Sequence, residues 1–273
     1  MTIPNFVLNS GHSIPALGLG TYQMEPAITA DMVDQALRMG YRHIDTAALY
    51  GNEAEVGEGL RRSGVPREEV FITTKLWNDS HRRADALAAF NRSLELLALD
   101  YVDLYLIHWP VPANGLTVEA WEALIEIRDS GRALSIGVSN FRPEDLAAVV
   151  EATGVVPAVN QVELHPLHQQ RGLQALDTEL GIVTEAWSPL GRGADLANDT
   201  IRAVAHEVGR SAAQVVIRWL LQLEIVVFPK TSKVERLREN LAVDDFELTP
   251  EQMERINSIT DDGQVGPDPA TVV

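Results

Sequence analysis

Four side chains in the first half of the chain could together move a proton: Asp45, Tyr50, Lys75 and His108. Tyrosine has an ordinary pKa near ~10, so at neutral pH it is a weak acid that holds its proton. An ammonium beside it favours the phenolate and lowers that pKa. A buried Lys75 needs an anion to stay charged, and Asp45 supplies one. His108 can donate a hydrogen bond to a carbonyl oxygen and orient it. Such a set would protonate the oxyanion formed when hydride reaches a carbonyl carbon. It contains no hydride donor, so a cofactor must bring one. Taken singly, each of the four reads equally well as a solvated rim residue. It is the combination that points to chemistry.

A second group sits near the C-terminus. Lys230, Lys233, Arg236 and Arg238 place four of the chain's 22 basic residues within one short stretch, against a net charge of −17. One reading is a helix face with intrahelical pairs to Glu235 and Glu239. The other is a phosphate site at the start of a helix, where free backbone N–H groups and the dipole also favour an anion. Ser188-Pro-Leu-Gly191-Arg-Gly193 is a small-residue loop that would let backbone approach a pyrophosphate. Trp187 before it offers a flat face to a nicotinamide ring, though core packing explains it equally well in isolation.

These residues need a frame, and the hydrophobic pattern supplies one. Short β-like runs lie at 16–20, 41–45, 70–75, 102–107, 134–138, 158–162, 182–186 and 225–228. The segments between them have helical spacing, as with Leu87, Phe90, Leu94 and Leu97 in 82–98. Thr117 and Glu119 open a helix over 117–130, Pro143 opens the next, and Ser211 opens one over 211–222. Strand then helix, eight times, is the pattern of a (β/α)₈ TIM barrel. A doubly wound sheet is the rival, but its G-x-G-x-x-G fingerprint is absent: Gly18-Leu-Gly20 begins it and Gln23 breaks it. Residues 5–15 read as an N-terminal β-hairpin around Asn9-Ser-Gly11, and residues 261–273 as a C-terminal loop. The expectation is one domain over residues 1–273.

In such barrels reacting groups sit at the C-terminal ends of strands. Asp45, Lys75 and His108 end the second, third and fourth runs, with Tyr50 a short loop beyond Asp45. Ser139-Asn140 follow the fifth, Asn160, Gln161 and Glu163 mark the sixth, and Trp187-Ser188 end the seventh. Pro229-Lys230-Thr231 follow the eighth. The basic stretch falls where phosphate sites recur in this fold.

Composition bounds the partners. The charge of −17 argues against nucleic acid, whose binders displace counterions with Lys and Arg, and against anionic membranes. No apolar run approaches the ~18 residues needed to span a bilayer. The N-terminus has neither the basic flank nor the apolar run of a signal peptide. With no Cys, a disulfide framework, a thiolate nucleophile and Cys-ligated metals are excluded. A cytoplasmic monomer acting on a small molecule is the expectation. Other motifs carry less. His165-Pro-Leu-His168 has metal-like spacing without a third ligand, so no metal is expected. Ser139 lacks a G-x-S-x-G elbow. His43 lies inside a strand and reads as structural.

The chain resembles the aldo-keto reductase family, and within it the bacterial 2,5-diketogluconate reductase type. The resemblance runs from Ile14-Pro-Ala-Leu-Gly-Leu-Gly-Thr to Gly266-Pro-Asp-Pro. It rests on His43-Ile-Asp45-Thr-Ala-Ala-Leu-Tyr50-Gly, Ile72-Thr-Thr-Lys75-Leu-Trp77, Leu106-Ile-His108-Trp-Pro110 and Ile136-Gly-Val-Ser-Asn-Phe141. Asn160-Gln-Val-Glu-Leu-His-Pro166, Trp187-Ser-Pro-Leu and Pro229-Lys230-Thr-Ser follow in the same order. The resemblance implies a catalytic tetrad of Asp45, Tyr50, Lys75 and His108, with Tyr50 the acid, and NADPH as cofactor. It implies that Ser139, Asn140 and Gln161 hold the nicotinamide carboxamide and that Trp187 stacks on the ring. Ser188, Leu190 and Gly191 would follow the pyrophosphate. Lys230, Thr231, Lys233 and Arg236 would hold the adenosine 2′-phosphate, and Glu239 and Asn240 the adenine. A carbonyl substrate would be lined by Tyr22, Trp77, Trp109 and the tail beyond Asp261. Thr231 stands where the family often has Ser, and the hydroxyl survives. The rival class is a barrel that binds NADPH as a signal without turnover.

Overall fold

The computed structural model describes residues 3–260 and 263–272; of the expected C-terminal loop, Asp261, Asp262 and Val273 lie outside them. Strands β1 (Asn5–Val7) and β2 (Ser13–Pro15) pair antiparallel as the expected hairpin. Its Leu8 and Ile14 are buried with Phe71, Leu104, Leu106 and Val159 of the barrel strands. The turn is tied down by Asn9 Nδ2 donating to the Pro157 carbonyl and by the Ser10 and Ser135 hydroxyls at 2.7 Å. Pro157 and Ser135 stand at or near the N-terminal ends of their strands, so the hairpin closes that end with apolar side chains.

Eight further strands pair parallel, each with the next in sequence. They are β3 (Leu19–Gly20), β4 (His43–Asp45), β5 (Phe71–Leu76), β6 (Val102–Ile107), β7 (Ala133–Ser139), β8 (Val159–Glu163), β9 (Val183–Trp187) and β10 (Val226–Val227). Parallel bridges Leu17↔Val227 and Gly20↔Lys230 join the last strand to the first. Gly18 N–H donates to the Val227 carbonyl and Val227 N–H to the Ala16 carbonyl, both at 2.8 Å. The sheet is thereby a closed barrel with no edge to protect. The expected first run, 16–20, is regular strand only at 19–20, and its other residues bond through the closure. Two glycines explain the tight seam. A Cβ on Gly20 would stand 2.7 Å from the Phe228 carbonyl, and one on Gly18 would meet the His43 ring at 2.9 Å.

Helices α1 (Pro26–Met39), α2 (Glu53–Ser63), α3 (Arg83–Leu97), α4 (Thr117–Asp129), α5 (Pro143–Thr153) and α6 (Arg171–Leu180) each follow one strand. The connection from β9 to β10 carries two, α7 (Asp199–Val208) and α8 (Ala212–Gln222). Beyond β10 come α9 (Val234–Leu241) and α10 (Pro250–Asn257). Ser211 and Gln214 cap α8 reciprocally, and Pro143 occupies the first turn of α5. Apolar faces of the helices pack outside the strands in one continuous layer that includes Trp121, Trp219 and Phe90. The strands are therefore covered on both faces, and their C-terminal ends form a rigid rim.

Candidate active site

Asp45 and Lys75 face each other across the floor of that rim. Lys75 is fully buried. Its Nζ donates to Asp45 Oδ1 at 2.7 Å, to Oδ2 at 2.9 Å, to the Thr46 carbonyl at 2.9 Å and to the Tyr50 hydroxyl at 3.3 Å. Tyr50 reaches this position from a 3₁₀ turn, Ala48–Tyr50, that leaves β4 and ends on Gly51 in the left-handed region. Asn52 steadies the turn by donating to the Thr21 and Met24 carbonyls and accepting from Thr46. His108 directly follows β6, and its ring meets those of Tyr50 and Trp77 edge-on at 5.7 and 5.1 Å. The structure thus brings Asp45, Tyr50, Lys75 and His108 to one place.

The electrostatics depart from the sequence expectation in one respect. Burial is the largest influence on Tyr50 and raises its pKa to about 12, although Lys75 pulls it down. The expected lowering by the ammonium is present but outweighed. For Lys75 burial is again the largest single influence, but the balance falls to its partners. Burial opposes the charge, yet Asp45 and Tyr50 together hold the ammonium above its ordinary value. Burial pushes Asp45 up, against Lys75 and a hydrogen bond from Gln161. His108 is held neutral, well below its usual pKa, by burial and then by Lys75. Its Nδ1 is buried without a partner, which leaves Nε2 as the nitrogen a ligand can reach.

Above this floor lies a cavity of about 320 Å³. Tyr22, Trp77 and Trp109 line it together with Asp45, Tyr50 and His108, and Tyr22 stacks obliquely on Tyr50 at 5.1 Å. Ser139, Asn140, Gln161, Trp187, Ser188 and Lys230 line it as well. The strand-end polar groups are locked to one another. Ser139 Oγ donates to the Gln161 carbonyl, and Asn140 Nδ2 to the His108 carbonyl and Ser139 Oγ. Trp187 Nε1 donates to Asn140 Oδ1 at 2.7 Å, which fixes the indole. Asn140 and Ser188 have φ of 63° and 48°. Left-handed backbone at non-glycine residues is strain of the kind found at functional sites.

Leu190 and Gly191 lie outside the cavity, on the loop after Ser188, where Gly191 is buried against Asp195 and His165. Lys230, Lys233 and Arg236 are exposed, and Thr231 is buried, its Oγ1 accepting from Lys233 N–H at the start of α9. Among the described residues Lys230, Lys233, Arg236 and Arg238 make no ion pair, so the intrahelical pairing with Glu235 and Glu239 is not formed. Glu239 and Asn240 stand on the last turn of α9, Asn240 buried.

Sequence reasoning missed several residues. Arg192 and Phe228 also line the cavity, and Pro267 and Val272 do so within the tail beyond Asp261 that was expected there. Pro267 and Val272 are there because the tail is fastened beside the rim. Glu163 accepts the N–H groups of Val265 and Gly266 with its two oxygens. His165, fully buried, lies between Glu163 at 3.2 Å and Asp195 at 3.1 Å. The two carboxylates outweigh burial and raise its pKa to about 9. Glu185 is the other omission. It is wholly buried on β9 and accepts from Gln161. A carboxylate inside the apolar run Ile182-Val-Thr-Glu-Ala-Trp was the available signal.

A barrel with a Lys–Asp–Tyr chain at its rim defines a class, and comparison with known proteins agrees. The chain belongs to the aldo/keto reductase family, whose model matches residues 16–261. An aldo-keto reductase of Mycobacterium sp. (strain KMS) is 50% identical over 271 residues, 99% of this chain and 98% of that one. A mutant of Gox0644 in complex with NADPH is 45% identical, with a TM-score of 0.96 and full coverage of both chains. A structure described as a putative 2,5-diketo-D-gluconic acid reductase B is 37% identical over 98% of this chain and 95% of its own, with a TM-score of 0.91. Among the described residues, no helix is long and apolar enough to cross a membrane.

Proposed function

We propose that this protein reduces aldehydes and ketones to alcohols with NADPH, and that Tyr50 is the proton donor. The observation that carries the reading is the hydrogen-bonded chain from Asp45 through Lys75 to the Tyr50 hydroxyl, ending at an aromatic cavity. The residues present fit the cofactor. A cavity of about 320 Å³ has room for a nicotinamide ring and a small carbonyl compound. The rest of the dinucleotide would follow the 188–191 loop to the unpaired cations at 230–236. Ser139, Asn140 and Gln161 would hold the carboxamide, Trp187 the ring face, and Glu239 and Asn240 the adenine. When bound, the reduced nicotinamide supplies the hydride.

The chain's own residues do the rest. His108 Nε2–H donates to the substrate carbonyl oxygen and turns it toward Tyr50. Tyr50 then gives its proton to that oxygen as negative charge builds on it. Lys75, charged and 3.3 Å away, stabilises the phenolate left behind. Asp45 keeps Lys75 charged and aimed. Tyr22, Trp77 and Trp109 would exclude water and receive the substrate's apolar part. The test mixes the protein with NADPH and a panel of aldehydes and ketones. Loss of the reduced cofactor's near-ultraviolet absorbance, with alcohol formed in equal amount, is expected. Tight NADPH binding without turnover on any of them would overturn the reading.

A further inference from the structure

Gln161 has its amide nitrogen in contact with two carboxyl groups at once. Nε2 lies 2.9 Å from Asp45 Oδ2 and 2.7 Å from Glu185 Oε2. An amide nitrogen carries two hydrogens, so both are engaged. The reverse orientation is closed. It would set Gln161 Oε1 against the Asp45 carboxylate that pairs with Lys75 at 2.7 Å, acceptor against acceptor. Among the described residues the oxygen is therefore the end of Gln161 without a protein partner, and Gln161 lines the cavity. Asp45 alone would leave the second N–H free to swing outward. Glu185 removes that freedom.

Glu185 has no other visible employment. It is fully buried, its Oε2 takes the Gln161 bond, and its Oε1 has no partner. Burial next to Asp45 raises its pKa to about 8, so near neutral pH it is a carboxylic acid. A half-bonded carboxyl group inside a β-strand destabilises the fold relative to any apolar residue of that size. Its presence calls for a function at the one group it touches.

We propose that Glu185 is a positioning residue that makes Gln161 an obligatory acceptor toward the cofactor. By taking the second N–H of that amide, it lets the site accept a hydrogen bond from a ring substituent and prevents it from donating one. The cofactor class it selects is a pyridine nucleotide whose ring carries a carboxamide N–H, as against one with a carbonyl alone. The inference rests on the NADPH reading above and concerns affinity, so turnover is not its measure.

The experiment uses the full chain and compares dissociation constants for NADPH and for its reduced 3-acetylpyridine analogue, which has a methyl ketone in place of the amide. Quenching of tryptophan fluorescence reads binding directly. Wild type should prefer the carboxamide by about fivefold or more, the worth of one hydrogen bond. Glu185→Gln, which keeps an acceptor for the Gln161 N–H, should retain that preference. Glu185→Met, of similar length and without an acceptor, should reduce it to about twofold or less. Glu185→Val serves if the Met variant does not fold. Full preference in the Met or Val variant, or equal loss in the Gln variant, overturns the proposal. Equal affinity of wild type for both cofactors overturns it without any variant. Failure of wild type to bind either one instead refutes the NADPH reading.

Discussion

Replacing Tyr50 by Phe removes one oxygen and leaves the rest of the site in place. The ring keeps its contacts with Tyr22 at 5.1 Å and His108 at 5.7 Å, so the cavity keeps its shape. Lys75 loses its longest hydrogen bond, at 3.3 Å, and retains three shorter ones to Asp45 and Thr46. The stability change should be within about 1 kcal/mol, a shift in Tm of a few degrees (~2–4 °C). Affinity for NADPH should stay within about twofold, because none of the proposed cofactor contacts uses this hydroxyl. The rate constant for aldehyde reduction should fall by about 10²- to 10⁴-fold, the usual contribution of a positioned general acid. The pH profile supplies a second reading. With a pKa of about 12, Tyr50 holds its proton across the neutral range, so it imposes no titration on reduction there. Alcohol oxidation needs the phenolate, whose fraction rises about tenfold per pH unit below the pKa. Oxidation by wild type should climb with that slope, and in the Phe variant the slope should vanish with the activity. Reduction within about fivefold of wild type, in a variant that folds and binds NADPH, would refute the assignment of the acid.

Two other perturbations probe the cofactor side and the tail. Arg236→Ala should weaken NADPH by about tenfold or more, since it removes one charge-assisted contact, while leaving NADH within about twofold; equal losses in a titration of both would show that the cation does not read the 2′-phosphate. His165 has a folded pKa raised above its unfolded value of 6.5 to about 9. Its contribution to stability is thus complete below the lower value and lost as pH rises through the higher one. The stability difference between wild type and His165→Gln should shrink by about 3 kcal/mol between about pH 6 and pH 9.5, measured by urea unfolding. A difference that does not change with pH would mean the imidazole is not charged between its two carboxylates.

How much was legible in the sequence follows from the range of the interactions involved. Strands such as 102–107 and helices such as 212–222 are set by local periodicity and capping, and the structure places them within a residue of the reading. The strand-end rule then located Asp45, Lys75 and His108 with no tertiary information. Tyr50 required only a short turn beyond β4. The electrostatics were not legible, because the balance at Tyr50 depends on how deeply the barrel rim buries it. The tail beyond Asp261 was expected at the substrate, but which of its residues reach the cavity, Pro267 and Val272, was hidden for a similar reason. Their position depends on Glu163, about a hundred residues away, and no local pattern encodes that distance. Glu185 was visible as an oddity, a carboxylate in an apolar strand, but only the contact with Gln161 gives it meaning.

The tail is tied to Glu163 at Val265 and Gly266, just before Pro267 begins to line the cavity. What fastens it and what lines the cavity are therefore different residues, adjacent in sequence. Residues beyond Gly266 could change in length and in chemistry while the hydrogen-bonded chain from Asp45 through Lys75 to Tyr50 keeps its own contacts. The same seam gives the protein engineer a splice point, where a new terminus could bring a new substrate range to an unchanged reaction.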